Sequence, residues 1–385
     1  MFEVIIFILI LSLLVVIHEL GHFFAAKWAG VKVEEFGVGY PPRAITLFKW
    51  KGTPFTLNWI PFGGFVRLAG DDAETIEKDL DSSQSYSAQS DSSKASAHQE
   101  KLGKMQSKNY RDKSRFKRMV IILAGATVNI LFGMFAFTLV YSIAGIPDAL
   151  PYPEVEEIAE NSPAQEAKLE LQDQLLKVAD QETRSAGAFI SEIGERRGQT
   201  VLITISRDGQ ERELEIYVRN LDEIPEGQGA IGVVLTDFRV VRYPWYIMIP
   251  KSIELGVRDS LSFAGMILSE LGKMASRFVQ TGETPAEIAG PVGIVHMAQR
   301  QEVFDQGPLV VLNFSALLSI NLGVMNLLPI PALDGGRAMF IILEGILGKK
   351  RRARWELRAN MAGMILLLGL ILLISVNDVV RIFTQ

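Results

Sequence analysis

The sequence predicts a multi-span α-helical membrane protein with four main transmembrane helices, a membrane-associated β-sheet and one extracytoplasmic α/β domain. Three observations predict it. Four stretches are long and apolar enough to span a bilayer, Lys and Arg crowd at particular ends of them, and the residues between the second and third carry the strand and helix patterns of a soluble domain. A hydrophobic share of 48% and a positive mean hydropathy fit that class. The net charge of −5 is mild and unevenly spread, and nothing in it points to nucleic acid.

The first span begins FEVIIFILILSLLVVI, apolar apart from Glu3 and Ser12, and continues through Phe23, Phe24, Ala25 and Ala26. A cleavable leader would open on basic residues and close on small ones, whereas this segment opens on an acid and carries His-Glu-Leu-Gly-His where cleavage would fall. Further spans are expected at about 119–143, 309–333 and 359–376. Lys27 and Lys32 follow the first span, Arg111, Lys113, Arg115, Lys117 and Arg118 precede the second, and a basic run from Lys349 to Arg358 separates the third from the fourth. Cytoplasmic loops carry the excess of Lys and Arg, so both termini and the 145–308 segment are expected outside.

The expected division follows from these signals. A first transmembrane helix occupies 1–28, and a cytoplasmic-side membrane-associated sheet occupies 29–70, with short strands at Val31–Val38, Ala44–Trp50, Phe55–Ile60 and Phe65–Leu68 set off by Gly and Pro. A polar, aperiodic stretch at 71–116 reads as a disordered cytoplasmic loop and holds His98. The second transmembrane helix is at 117–145 and the α/β domain at 146–222, where Asp208-Gly209 marks a hairpin turn. Residues 223–308 read as an extracytoplasmic linker with a pair of amphipathic helices, too often charged at 244–280 to span. A third transmembrane segment follows at 309–347, then a basic cytoplasmic loop and the fourth helix at 348–385.

Chemistry concentrates in two places. His18-Glu19-Leu20-Gly21-His22 puts two imidazoles four residues apart on one helix face, where both can ligate one Zn²⁺ while Glu19 takes a proton from an attacking water. Ionisable groups inside a membrane helix are costly, which favours function over packing. Without cysteine, a zinc site must be completed by another His or a carboxylate. Asp334, in Asn326-Leu-Leu-Pro-Ile-Pro-Ala-Leu-Asp-Gly-Gly336, is the best third ligand. His18 lies ~21 Å below the start of the first span and Asn326 ~26 Å along the third, and Pro329 and Pro331 break the helix so that Asp334 can swing level with the histidines. His296, the competing ligand, falls on the outer side. Asn321 and Asn326 are assigned to holding the scissile carbonyl or its neighbouring backbone. A transmembrane helix must be unwound and held extended for cleavage, and Gly37-Val38-Gly39 is the candidate region for a strand edge that does so.

With HELGH on a first span, the Asn-Leu-Leu-Pro-Ile-Pro-Ala-Leu-Asp-Gly-Gly run on a third and an outer domain between spans two and three, the chain resembles the site-2 protease family of intramembrane zinc metalloproteases. The resemblance implies a Zn²⁺ cofactor on His18, His22 and Asp334, Glu19 as catalytic base, and Asn321, Asn326, Gly37 and Gly39 as substrate-contacting residues. It also implies a PDZ-like outer domain and residence in a bacterial inner membrane. The substrates implied are single-span membrane proteins such as anti-sigma factors or remnant signal peptides, trimmed beforehand by another protease. Two departures stand out. The Ala-Gly-Pro-x-x-Asn stretch of the second span reads Ala124-Gly125-Ala126-Thr127-Val128-Asn129, and Lys168-Leu169-Glu170-Leu171-Gln172-Asp173 stands where the family shows Gly-Leu-x-x-Gly-Asp. Two rival readings remain, a metal-ion transporter and a non-catalytic scaffold binding peptides through the outer domain. The former lacks a repeat architecture, and the latter does not need Glu19.

Overall fold

The computed structural model describes residues 2–71, 108–225, 227–282 and 290–384. The loop expected at 71–116 falls largely outside them, His98 included, but residues 108–114 do not behave as free loop. The Tyr110 amide donates to the Ala69 carbonyl, the Lys32 amide donates to the Lys108 carbonyl, and Tyr110 is buried in a short 3₁₀ turn, Tyr110–Asp112.

The described residues form two compact units, Met1–Val140 with Ile253–Gln385, and Tyr141–Ser252. In the first unit, four helices are long and apolar enough to cross a membrane: α1 (Phe2–Trp28), α2 (Arg115–Ala144), α7 (Pro308–Leu327) and α9 (Lys349–Thr384). α5 (Trp245–Thr281) runs through Pro250 as one helix of 37 residues, where the sequence suggested a pair. α6 (Pro291–Arg300) and α8 (Asp334–Leu347) complete this unit. α2 and α7 approach closely because small residues line their contact: a methyl group on Gly323 would lie 2.9 Å from the Ala126 carbonyl oxygen.

The sheet of this unit is one bent hairpin, β1 (Val33–Trp50) and β2 (Thr53–Leu68). Bulges fold each strand so that Gly37 faces both Phe65 and Thr56, and Val38 faces both Gly64 and Leu57. Four short segments therefore lie side by side. Residues 33–38 are interior, and residues 64–68 form an edge. Phe23 of α1 packs on Phe36 and Phe55 and anchors the sheet to the helix.

In the second unit, the strand order β7-β6-β4-β3-β8 is antiparallel throughout, comprising β3 (Ile146–Ile158), β4 (Gln174–Val178), β6 (Thr200–Arg207), β7 (Gln210–Tyr217) and β8 (Val233–Val241). A short β5 (Gln181–Glu182) pairs with β4, while α3 (Pro163–Glu166) and α4 (Ala186–Gly194) pack on the core of Leu175, Ile203, Ile205 and Phe189. β8 lies in what the sequence suggested was linker, and its pairing with β3 extends the domain past 222. Lys168 and Gln172 adopt φ of 58° and 69°, the left-handed backbone that glycine takes without strain, at the two positions of this turn where the resemblance led to an expectation of glycine.

Candidate metal centre

The site is assembled from three helices. On α1 the four-residue spacing aims His18 and His22 the same way, toward α2. The approach needs two glycines. A methyl group on Gly21 would sit 2.5 Å from the Ala124 carbonyl oxygen, and one on Gly125 would sit 2.4 Å from His22 Nε2 and 2.7 Å from His18 Nε2. The third helix arrives by a break. α7 stops at Leu327 ahead of Pro329 and Pro331, and Asp334 opens α8, whose helix dipole favours a carboxylate in its first turn. Gly335 and Gly336 let the chain double back, since a methyl group on either would lie 2.2 Å from the carbonyl oxygen of Leu328 or Ile330 respectively.

Three donor atoms converge. His18 Nε2 is 3.0 Å from Asp334 Oδ2, His22 Nε2 is 3.2 Å from the same oxygen, and the two imidazole nitrogens are 3.1 Å apart. His22 Nδ1 donates to the Ile121 carbonyl oxygen at 2.8 Å, leaving its Nε2 as a bare lone pair. Lone pairs so close repel unless a proton or a metal cation sits among them. A tetrahedral zinc with ligands at 2.0–2.1 Å has ligand-to-ligand edges of about 3.3 Å, and the donor set of two imidazoles and one carboxylate is that of a catalytic zinc. The residues present therefore fit the ion.

Beside the donors is a cavity of ≈ 360 Å³, lined by Glu19, Asn326, Tyr40 and the β2 edge at Gly64, Phe65 and Val66. Glu19 lies against that edge: a methyl group on Gly64 would be 3.3 Å from its Cγ. Partial burial, with Glu19 nearby, pushes the Tyr40 phenol above its ordinary range, and like any phenol it is a hydrogen-bond donor at neutral pH.

Among the sequence-predicted residues, the fold brings His18, Glu19, His22, Asp334 and Asn326 around one cavity. Asn321 is left off its wall, because five residues along a helix are about 140° around it, so Asn321 and Asn326 cannot share a face. Gly37 and Gly39 are also displaced. Gly37 is paired on both sides in the sheet interior, and the segment facing Glu19 is 64–66. Sequence reasoning missed Gly125 and Asn129, which abut the imidazoles from α2. Their signal was present in the Ala124–Asn129 stretch, as a glycine and an amide four residues apart on an apolar span.

A helical His pair with an intervening Glu, joined by a carboxylate from a distant helix within an apolar bundle, defines a zinc metallopeptidase of the membrane-embedded class. Residues 6–370 match peptidase family M50, and the chain belongs to that family, the site-2 proteases. Zinc metalloprotease RasP of Oceanobacillus iheyensis is 28% identical over 100% of both chains, and RasP of Bacillus licheniformis is 29% identical over 99% of both. A PDZ domain of the SdrC-like protein of Listeria monocytogenes overlaps 24% of this chain and 95% of its own, at 20% identity and a TM-score of 0.20, too slight a likeness to bear on the fold. The protein is an intramembrane zinc metalloendopeptidase with Zn²⁺ as cofactor, acting on membrane proteins.

Proposed function

We propose that His18, His22 and Asp334 hold the zinc and that Glu19 is the catalytic base. The observation that carries this is the triangle of donor atoms with 3.0–3.2 Å sides beside Glu19 in one cavity. Zn²⁺ bound there supplies Lewis acidity to the scissile carbonyl and acidifies a water. Glu19 takes the proton of the attacking water and returns it to the leaving amide nitrogen. Asn326 and Tyr40, on the cavity wall, offer an amide and a phenol donor to the carbonyl oxygen.

The substrate is a single-span membrane protein, trimmed beforehand, such as an anti-sigma factor or a remnant signal peptide. Its unwound segment adds as a strand to the β2 edge at Gly64–Leu68, whose outer side borders the cavity. The enzyme sits in a bacterial inner membrane with four spans, both termini outside, and a PDZ-like domain at Tyr141–Ser252. In that domain β8 ends the sheet beside an apolar groove of ≈ 460 Å³ lined by Phe189, Ile193, Ile231 and Val233, which suits an extended peptide end. Cleavage of a tagged single-span protein by purified chain in detergent tests the reading. Glu19→Gln should lower the rate by about 10²–10⁴-fold with zinc still bound, the scale of a lost general base. Undiminished cleavage by this variant would remove Glu19 from the chemistry.

A further inference from the structure

α2 contributes no ligand, yet it touches both imidazoles. Ile121, Gly125 and Asn129 follow one another at four-residue spacing and so form one stripe along the helix. Ile121 accepts from His22 Nδ1 at 2.8 Å, Gly125 lies against both Nε2 atoms, and the Asn129 side-chain amide meets His18 Nδ1 at 3.4 Å. Asn129 is fully buried, and its backbone carbonyl accepts from Ser319 Oγ at 2.8 Å, which pins the residue against α7.

The two ends of an amide are exchanged by a half-turn, and the choice decides what His18 can do. With nitrogen toward His18, Nδ1 must accept, and Nε2 then carries the proton and cannot ligate. With oxygen toward His18, the Nδ1 proton is donated to Oδ1 and Nε2 keeps its lone pair, matching the tautomer that the Ile121 carbonyl imposes on His22. In either orientation the far end of the amide is buried with no hydrogen-bond partner among the described residues, so the choice rests on His18.

We propose that Asn129 is a positioning residue whose Oδ1 accepts from His18 Nδ1, so that α2, through Ile121 and Asn129, fixes both imidazoles in the ligating tautomer. The proposal rests on His18 and His22 being zinc ligands. The experiment is zinc affinity by chelator competition on the purified full chain in detergent, for wild type, Asn129→Leu and Asn129→Asp, with the melting temperature of each metal-free protein. Leu keeps the branched shape in a larger volume and removes the acceptor; Asp keeps the acceptor. Asn129→Leu should bind zinc 10–100-fold more weakly, the usual effect of losing such a partner, while Asn129→Asp stays within a few-fold of wild type and the metal-free melting temperatures agree. An unchanged affinity in Asn129→Leu overturns the proposal alone. So does an equal loss in both variants with lowered metal-free melting, which marks a packing role. Wild type that binds no zinc overturns the ligand set and the proposal with it.

Discussion

Two polar clusters lie within the same helical unit, and they differ in how the buried carboxylate is partnered. Glu344, on α8, is 2% exposed, and Arg118 Nη2 reaches both its oxygens at 2.8 and 2.7 Å, with Arg352 and Arg115 at 3.6 and 3.5 Å. Its charge is answered inside the chain. Ten residues earlier on the same helix, Asp334 faces two imidazole nitrogens whose useful state, for one of them at least, is a bare lone pair. That cluster brings two imidazoles and a carboxylate together as a metal-ligand set rather than as a closed ion pair. A buried ion pair satisfied by its own fold is a structural device, whereas converging acceptors at a helix break are a site for something brought in.

The contrast can be broken most sharply by removing each carboxylate. Asp334→Ala should abolish zinc binding and lower cleavage below detection, while the variant stays folded, since the partners it leaves among the described residues are His18 and His22, which can be neutral. Zinc stoichiometry and cleavage of the single-span substrate measure this, and stoichiometric zinc in Asp334→Ala would remove it from the ligand set. Glu344→Ala should do the reverse. Losing one partner of a buried pair strands Arg118, itself 2% exposed, at a cost of about 3–5 kcal/mol. Denaturation in mixed micelles should show that loss, and the fraction that remains folded should bind zinc as wild type does.

How much of this was legible in the sequence follows from the range of each signal. HELGH is a local pattern whose meaning depends on helix geometry alone, so His18, Glu19 and His22 could be read directly. Asp334 was reachable because two prolines announce the break and span depth constrains the level. The hairpin was harder. Its four short segments were visible as apolar runs, but the bulges that place 33–38 between 55–58 and 64–68 come from pairing, which no single run records. The edge was therefore placed at Gly37–Gly39 when it lies at Gly64–Leu68. β8 was read as linker for the same reason, since an edge strand that closes on β3 from about 80 residues away carries no local mark. Asn129 stands out in sequence only as part of the Ala124–Asn129 stretch, because the role of an amide in an apolar span is ambiguous until the imidazole beside it is known.

The same distinction, between polar groups answered within the fold and polar groups aimed at a cavity, sharpens on α7. Asn321 and Asn326 are alike in chemistry and about 7.5 Å apart along one helix, and it is chiefly angle that separates them. Asn326 borders the cavity with Glu19 and Asp334, and Asn321 does not. If Asn326 donates to the carbonyl oxygen as negative charge builds on it, Asn326→Ala should lower kcat by about 10²-fold with KM little changed, because the bond strengthens only in the transition state. Asn321→Ala should leave kcat within a few-fold of wild type, its effect confined to packing. Steady-state kinetics on the single-span substrate would measure both. Equal losses in the two variants would mean that the substrate reaches around the helix to a second face, and the cavity wall would have to be redrawn to include Asn321.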